Sequence, residues 1–515
     1  MRPAANLRIL LLAGLIGAAP SAGAQLLASG DPTHDGAVLW VQADTPGDYT
    51  VEIAEDAGYT RAIKRLALAL SEDGGRMGQV LVDGLGAGRR FYFRVVGPSG
   101  PLPNTGTFAT APAPSETRPL TLLFGADLGG QGYGRIRPGT PLGLDGFPIF
   151  AAMQRDNADL FLALGDMLYS DRPVTAKAPD PGLSADNDFQ IAKPGPGYVT
   201  NVADFRRDWH YHRSDHRFAA FLRAVPMVAT WDDHEIVNDI GVPELTKGPN
   251  TEEAARDPRL AQADPSKRPL QFNPQFARDA RQVMFEYNPI RVLPDPSGGF
   301  ERRLYRALAW GTRAEIVMLD TRSYRDPKYW HDTAERPKTM LGAAQKQWLK
   351  DTLAASPATW KLVVSSVPLS IPGGNLRDPE RRFYRDSWAR GERDNPYGYE
   401  RELLEIVAFI KERGIRNVVF LTGDQHVSNI IAYDTDRDGI ADFHEANIGP
   451  LRAGPSQAAK TIDQTLNPRV VFSDIGRATF AYGRITIAAA GALTVEFRGV
   501  DGAPIAGAQL HLTPR

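Results

Sequence analysis

Short apolar runs separated by turn residues fill the first part of the chain. Residues 36–41, 49–53 and 90–96 are rich in β-branched and aromatic side chains, and Gly, Pro and Asp lie between them. Runs of this length and spacing predict β-strands, and several in succession are typical of a two-sheet sandwich. We therefore predict a small all-β domain of immunoglobulin or fibronectin type over residues 25–112.

The pattern changes after residue 118, where short apolar runs begin to alternate with stretches of helical periodicity. The runs are 121–124, 160–164, 227–231, 315–319, 361–365 and 417–421, and the helical stretches include 342–354 and 400–413. Nearly unbroken apolar runs suit strands that are covered on both faces. This predicts a layered α/β domain over residues 118–515, with strands again from 484 to 512. The polar stretches 173–200 and 243–269 are predicted to be surface insertions.

The N-terminus predicts a secretory signal peptide over residues 1–24. Arg2 and Arg8 precede an apolar stretch at 9–19, and Ala22-Gly23-Ala24 provides the small residues of a cleavage site. There is no twin-arginine pair. The apolar stretch is short for a membrane span, although an uncleaved anchor is the alternative. We expect a periplasmic or secreted protein whose mature form has no membrane span.

Composition narrows the classes of partner and ligand. Lys and Arg total 59 against 61 for Asp and Glu, and this balance gives no reason to expect a nucleic-acid partner. The chain contains no cysteine, which excludes disulfides and removes thiolate from the set of ligands and nucleophiles. The oligomeric state cannot be inferred from these totals.

Acidic residues follow four of the predicted strands. The four clusters are Gly125-Ala126-Asp127-Leu128-Gly129, Gly165-Asp166-Met167-Leu168-Tyr169, Asp232-Asp233-His234-Glu235 and Gly423-Asp424-Gln425-His426. The carboxyl ends of strands in an α/β sheet face one crevice, where ligands bind. Carboxylates that converge there repel one another unless cations hold them. A single Gly-Asp is more often a turn, but the four clusters together predict a metal site.

The ordered set D-x-G, G-D-x-x-Y, W-D-D-H-E and G-D-x-H resembles the calcineurin-like metallophosphoesterase superfamily, and in particular its PhoD-type alkaline phosphatases. Residues 28–32, 319–325 and 345–349 resemble further landmarks of that family. The resemblance covers nearly the whole mature chain. It implies a four-layer metallophosphoesterase sandwich preceded by a small all-β domain, and activity on phosphomonoesters and phosphodiesters.

The resemblance also implies a ligand set. Asp166 should bridge two metals, Tyr169 and His426 should bind the first, and Asp233 and Asp424 should bind the second. His234 should act beside the phosphate as general acid or charge stabiliser.

The first motif departs from the PhoD pattern, which usually places a cysteine ligand there. Ala126-Asp127-Leu128-Gly129 resembles instead the D-x-G motif of purple acid phosphatases, so we expect Asp127 to replace the cysteine. A set of Asp, Tyr and His suits Fe³⁺, and the oxygen-rich second site suits Ca²⁺. Mn²⁺, Mg²⁺ and Zn²⁺ are the alternatives.

The expected function is hydrolysis of a small-molecule or lipid phosphate ester by a metal-bound hydroxide. Two alternatives remain open. One is a phospholipase D-like phosphodiesterase, and the other is a non-catalytic calcium-binding surface protein with the same fold. The sequence does not distinguish between monoester and diester substrates.

Three weaker signals complete the candidates. Asp232, Asn238 and Arg322 are further substrate or metal candidates, and a salt bridge to Asp320 is the alternative for Arg322. The histidines at 210, 212 and 216 could reach substrate or be a chance cluster on a surface helix. Residues 434–445 match the EF-hand loop pattern, which predicts a calcium loop or, alternatively, an acidic turn. Its candidate ligands are Asp434, Asp436, Asp438, Asp442 and Glu445.

Overall fold

The computed structural model describes residues 25–139, 144–172, 174–175, 199–243, 274–374, 377–378, 380–456, 458, 460–477 and 479–515. The predicted signal peptide, residues 1–24, lies outside the described residues, as does most of both predicted insertions. Within the described ranges, no helix is both long enough and apolar enough to span a membrane.

The strands fall into three sheets. The nine-stranded sheet has the order β20-β19-β18-β8-β9-β10-β1-β2-β5, the seven-stranded sheet the order β11-β12-β13-β14-β16-β15-β17, and the four-stranded sheet the order β4-β3-β6-β7. Their bounds are β1 Leu26–Thr33, β2 Gly36–Gln42, β3 Gly47–Ala54, β4 Ala62–Leu70, β5 Met77–Val82, β6 Arg90–Gly97, β7 Gly100–Ala109, β8 Leu120–Gly125, β9 Leu160–Ala163, β10 Met227–Ala229, β11 Arg306–Trp310, β12 Ala314–Met318, β13 Trp360–Val364, β14 Val418–Thr422, β15 Asn429–Tyr433, β16 Phe443–Asn447, β17 Pro468–Ser473, β18 Ala481–Ile487, β19 Leu493–Gly499 and β20 Pro504–Leu512.

The helices cover the outer faces of the two larger sheets. They are α1 Ile149–Arg155, α2 Val202–Arg213, α3 His216–Ala224, α4 Pro274–Tyr287, α5 Gly342–Ala355 and α6 Glu400–Glu412. Side chains of α1 to α4 share a core with the nine-stranded sheet, and those of α5 and α6 share a core with the seven-stranded sheet. A third core lies between the two sheets. The prediction of a mixed α/β fold is confirmed.

The apolar runs of the central strands are continuous because both of their faces are covered. In β9, Leu160 and Leu162 belong to the core between the sheets, whereas Phe161 and Ala163 belong to the core under the helices. Successive side chains of a strand point to opposite faces, so a strand with two covered faces needs no polar position. The six predicted central strands and both predicted helices are present, with ends shifted by a few residues.

The N-terminal residues form a sandwich whose first sheet continues into the nine-stranded sheet. β1, β2 and β5 face the four-stranded sheet across a core that includes Leu39, Val51 and Phe93. β1 also pairs in parallel with β10, with Gly30 opposite Met227. A Cβ atom at Gly30 would lie 2.4 Å from the Met227 carbonyl oxygen, so this close approach requires glycine.

A buried ion pair fastens the end of β1 to the rest of the chain. Asp31 Oδ1 lies 2.7 Å from Arg306 at the start of β11, and both side chains are buried. Asp31 Oδ2 accepts a hydrogen bond from the Arg291 backbone N–H at 2.8 Å. The Arg306 guanidinium also donates to the Ala229 carbonyl at 3.0 Å. The Asp31–Arg306 pair therefore connects β1 and β10 of the nine-stranded sheet with β11 of the seven-stranded sheet.

The substitution Asp31→Asn is expected to lower the free energy of unfolding by about 3–5 kcal/mol, because it leaves the Arg306 charge buried and unpaired. Asparagine tolerates the positive φ of 43° at this position, so backbone strain contributes little. Urea unfolding monitored by circular dichroism measures the change.

The matched control is Asp83→Asn, which removes the same charge from an exposed pair with Lys64 at 3.7 Å. Its expected effect is about 0–1 kcal/mol. Equal unfolding midpoints for the two variants would contradict the anchoring role of Asp31.

Candidate metal centre

Four strand ends from the two facing sheets meet at one place. β8, β9 and β10 are parallel neighbours in the nine-stranded sheet, and β14 lies in the seven-stranded sheet. Asp127 follows β8, Asp166 follows β9, Asp233 follows β10 and Asp424 follows β14. The convergence expected from the sequence is therefore present in the structure.

The backbone at this place is held in an unusual conformation. Asp127, Asp166, Asp424 and His426 have φ values of 61°, 53°, 69° and 55°, in the left-handed region that residues other than glycine seldom adopt. Such conformations cost free energy and persist where surrounding contacts enforce them, which is characteristic of functional sites. The turn after each strand thus directs its side chain into the site.

Asp127, Asp166 and His426 form the first group of ligand atoms. One oxygen or nitrogen from each lies within 4.8 Å of the others. The Tyr169 hydroxyl lies 3.0 Å from His426 Nε2, which is 3.8 Å from Asp127 Oδ1. These four residues are the expected ligands of the first metal. Asp127 thus lies beside the other residues expected at the first metal.

Two further groups adjoin the first. Asp166, Asp233 and His234 have ligand atoms within 4.8 Å of one another, as do Asp232, Asp233 and Asp424. Asp166 belongs both to the first group and to the group with Asp233 and His234. Asp166 thus has ligand atoms near both Asp127 and Asp233, and Asp233 lies near Asp424.

The carboxylates fit cations because the protein compensates only part of their negative charge. Both Asp127 oxygens, Asp166 Oδ2 and Asp233 Oδ1 are buried without a hydrogen-bond partner. Burial, together with Asp232 and Asp233, raises the pKa of Asp127 well above its ordinary value. Burial and the same two neighbours also raise the pKa of Asp166. Because uncompensated buried carboxylates are unfavourable, and because the donors are hard oxygens with histidine, the residues present fit metal ions.

Arg322 forms ion pairs with several carboxylates of the cluster. It is fully buried, with Nε 2.6 Å from Asp232 Oδ1 and other guanidinium nitrogens 3.6 Å from Asp233 and 3.4 Å from Asp386. Burial alone would raise the pKa of Asp233, but Arg322 and His234 lower it to about 2. The guanidinium of Arg322 therefore contacts carboxylates of the site. The sequence had offered a substrate contact or a salt bridge to Asp320 for this residue. Asp232, the other candidate, forms its ion pair with Arg322.

His234 lies at the site with its ring fixed on two sides. The ring stacks on Tyr169 at 4.1 Å, and Nδ1 lies 2.6 Å from Asp171 Oδ1. Burial lowers the pKa of His234, but Asp171 and Asp233 outweigh it and raise this pKa to about 9. A protonated imidazole is thus held close to Asp166 and Asp233.

Glu235 joins the second and third motifs. Its carboxylate accepts backbone hydrogen bonds from Asp166 at 3.0 Å, from Met167 at 2.7 Å and from Asp232 at 2.9 Å. Glu235 therefore positions the turns that carry the candidate ligands. It does not belong to any of the groups of ligand atoms given above.

A pocket of about 220 Å³ opens onto this cluster. His234, Asp424 and His426 line it together with Asn238, whose backbone N–H donates to Asp171 at 3.1 Å. The predicted residues therefore separate into those that reach the pocket and those, such as Arg322, that lie beneath it. The volume suits a phosphoryl group and a short substituent.

The loop at 434–445 gathers only some of its acids. Asp434, Asp436 and Asp438 lie within 4.8 Å of one another. Asp442 instead accepts a hydrogen bond from the Thr435 backbone N–H at 2.8 Å. Glu445 lies in β16 and accepts from the Thr422 hydroxyl at 2.8 Å and the Leu369 N–H at 2.9 Å. The twelve-residue pattern requires the carboxylates of Asp442 and Glu445 to join the other three. In the structure they do not.

The three histidines near residue 212 lie away from the pocket. His210 Nδ1 is 3.0 Å from Gln42 Oε1, and His212 stacks on Phe147 at 5.7 Å. His216 is exposed at the start of α3. None of the three lines this pocket, and His212 is buried against Phe147, so they do not form the surface cluster considered as the alternative.

Sequence reasoning missed three groups at the site. Asp171 follows Tyr169 by two residues and could have been found as an extension of that motif. Asp239 and Asp386 form a group with Asp233, with ligand atoms within 4.8 Å. Asp386 follows no strand and carries no motif, so nothing near it in the sequence signals its position.

Comparison with known proteins matches two families along the chain. Residues 128–495 match the PhoD-like phosphatase family, and residues 21–112 match the N-terminal domain of PhoD-like phosphatases. The chain is also similar to alkaline phosphatase D of Bacillus subtilis (strain 168), with 27% identity over 424 residues. That match covers 78% of this chain and 64% of the relative, which is less than two thirds of the relative's length.

Solved structures support the fold. A structure of PhoD matches with a TM-score of 0.70 and 22% identity, covering 93% of this chain and 88% of that one. A purple acid phosphatase from yellow lupin (Lupinus luteus) seeds matches with a TM-score of 0.54 and 11% identity, covering 95% and 74%. At these identities the likeness establishes the fold.

Removal of bound cations is expected to lower the melting temperature, because the carboxylates of the site then lose their counter-charge. A cation at about 100 times its dissociation constant stabilises a fold by about 2.7 kcal/mol. Calorimetry of the protein as purified, after chelation, and after addition of Fe³⁺ with Ca²⁺ measures the loss and its recovery.

Asp166→Asn should shrink the difference between the metal-loaded and chelated forms, whereas Asp436→Asn in the acidic loop should leave it intact. A melting temperature that stays constant while elemental analysis shows complete metal loss would contradict metal binding at the cluster.

Proposed function

This chain belongs to the PhoD-like phosphatase family, and from that premise we propose that it is an exported, metal-dependent phosphoesterase that hydrolyses phosphate esters at the pocket above Asp166. One observation carries the proposal. Asp166 belongs to two adjoining groups of ligand atoms, and several carboxylate oxygens in them are buried without a partner. A bridging carboxylate between two cation positions is an arrangement by which two-metal phosphatases hold the cations that act on a phosphoester.

The domain organisation follows the same proposal. Residues 1–24 are a signal peptide that is removed on export, residues 25–112 are the N-terminal β domain, and residues 118–515 are the catalytic domain. The helix–sheet–sheet–helix order of the catalytic domain is then the four-layer metallophosphoesterase sandwich. The matches to residues 21–112 and 128–495 support these boundaries.

Two metals are proposed. Asp127, Asp166, Tyr169 and His426 hold Fe³⁺, and Asp166, Asp233 and Asp424 hold Ca²⁺ or a similar cation. Bound there, the cations supply the positive charge that binds phosphate and lowers the pKa of the attacking water.

The protein contributes orientation and a proton. Asp171 engages His234 Nδ1 at 2.6 Å, which leaves Nε2 as the ring nitrogen that can donate to a leaving oxygen. Stacking on Tyr169 fixes the plane of the ring. Arg322 holds Asp232 and Asp233 in place by its contacts with both carboxylates, and it lowers the pKa of Asp233. His234 is therefore the proposed general acid, and Asp171 is the residue that positions it.

The first test pairs elemental analysis with hydrolysis of para-nitrophenyl phosphate and bis(para-nitrophenyl) phosphate. The expected result is near-stoichiometric metal in the wild-type protein, and loss of both activity and bound metal in Asp166→Asn. Glu335→Gln, which removes an exposed carboxylate, is the control and should change neither quantity.

A metal-free wild-type protein that hydrolyses neither ester after reconstitution would overturn the proposal and favour a binding protein with this fold. A panel of phospholipid diesters in the same assay distinguishes the phospholipase D-like alternative from the proposed function. That alternative predicts that lipids are the preferred substrates.

His234→Gln is expected to lower kcat by about 100- to 10,000-fold, because the leaving oxygen then departs without a proton. The loss should be larger for an alkyl phosphate than for para-nitrophenyl phosphate, since an alkoxide needs the proton more than a nitrophenolate does. Steady-state kinetics on the two substrates measures the difference.

Asp171→Asn should reduce kcat by about 10- to 100-fold with the same dependence on leaving group, because a ring held less firmly donates less effectively. Unchanged metal content in both variants is the control. Equal losses on the two substrates would contradict a role in proton donation.

A further inference from the structure

The pocket above the proposed metal centre contains one side chain that the mechanism has not used. Lys460 lines it together with His234, Asp424 and His426. Among the lining residues that the structure describes, Lys460 is the only lysine or arginine. The arginine of the site, Arg322, lies beneath the carboxylates and is fully buried.

The Lys460 ammonium is held beside the fourth motif without being neutralised. Nζ donates to Gln425 Oε1 at 3.0 Å, and Gln425 Nε2 donates in turn to Asp424 Oδ2. An ammonium has three N–H donors, and the contact with Gln425 uses one of them. No carboxylate of the described ranges forms an ion pair with Nζ. Positive charge and donor capacity therefore remain available to a molecule in the pocket.

The segment that carries Lys460 is attached to the ligand turns themselves. The Ala453 backbone N–H donates to the Asp127 carbonyl at 2.8 Å, and the Ser456 N–H donates to the His426 carbonyl at 3.0 Å. The Gly454 carbonyl also contacts His426 Nδ1. The position of Lys460 is thus set by the same turns that position the proposed ligands.

We propose that Lys460 binds the phosphoryl group of the substrate and makes this pocket selective for phosphomonoesters over phosphodiesters. This inference rests on the proposed function and specifies its substrate class. A phosphomonoester loses its second proton with a pKa of about 6 and is a dianion above it, whereas a diester carries a single charge. A fixed ammonium therefore attracts the monoester more strongly, and it donates to an oxygen that a diester would have esterified.

The variant Lys460→Met keeps the length and apolar stem of the side chain and removes its charge. We expect kcat/KM for para-nitrophenyl phosphate to fall about 10- to 100-fold, the range for loss of a charged hydrogen bond. The change for bis(para-nitrophenyl) phosphate should be about threefold or less on the same basis. Lys460→Arg should recover most of the loss.

The matched control is Lys64→Met, which removes the same charge from β4, in the four-stranded sheet. It should leave both rate constants unchanged. Elemental analysis of Lys460→Met should show the metal content of the wild type, because Lys460 contacts ligands only through Gln425.

Binding of inorganic phosphate gives a second readout that needs no turnover. Isothermal titration of the metal-loaded protein should show a dissociation constant at least about tenfold higher in Lys460→Met than in the wild type. Equal losses on the monoester and the diester, or unchanged phosphate binding, would overturn the assignment of Lys460 and leave the proposed function standing. Failure of the wild-type protein to hydrolyse either ester would instead overturn the proposed function.

Discussion

Mutual repulsion among buried carboxylates is the interaction on which the rest of this site depends. The ends of β8, β9, β10 and β14 bring aspartates together in adjoining groups, within each of which the ligand atoms lie within 4.8 Å of one another, and burial removes the water that would screen them. Such a cluster is tolerated where positive charge compensates it. The chain supplies part of that charge through Arg322 and His234, and the proposed cations would supply the remainder at the unpartnered oxygens of Asp127 and Asp166.

The surrounding contacts hold this repulsive cluster in place. Glu235 ties together the turns after β9 and β10 through three backbone N–H groups. Asp31 ties the N-terminal strand to Arg306 and to the segment around Arg291. The left-handed backbone at Asp127 and Asp166 is a further cost that the two packed sheets sustain. A rigid scaffold is thus the condition for a site made of mutually repelling groups.

The resemblance noted in the sequence implies a cysteine ligand in the first motif, where this chain has Asp127. Asp127 lies with Asp166 and His426 in one group, so as a proposed ligand it keeps an anionic group there while exchanging sulfur for oxygen. A harder ligand favours a harder cation, which is consistent with the proposed Fe³⁺. Above this centre the pocket is small and polar, and it is lined by few charged groups of either sign other than the proposed ligands. Specificity must therefore come from a handful of side chains around the phosphoryl group.

The sequence by itself predicted the six central strands and the residues that follow the carboxyl ends of four of them. Apolar runs such as 160–164 are local patterns, and a run that is buried on both faces keeps its periodicity whatever its neighbours are. Asp127, Asp166, Asp233, Asp424 and His426 can be predicted as site residues because each follows such a run.

Only the tertiary structure decided which side chains lie behind and around them. Arg322 reaches Asp232 across 90 residues, Asp386 reaches Arg322 across 64, and Lys460 reaches Gln425 across 35. The tertiary structure also turned Glu445 inward, away from the acidic loop that its spacing predicted, because its strand pairs with β14 and faces Thr422. Contacts of this kind depend on how sheets and loops pack, and no local periodicity records them.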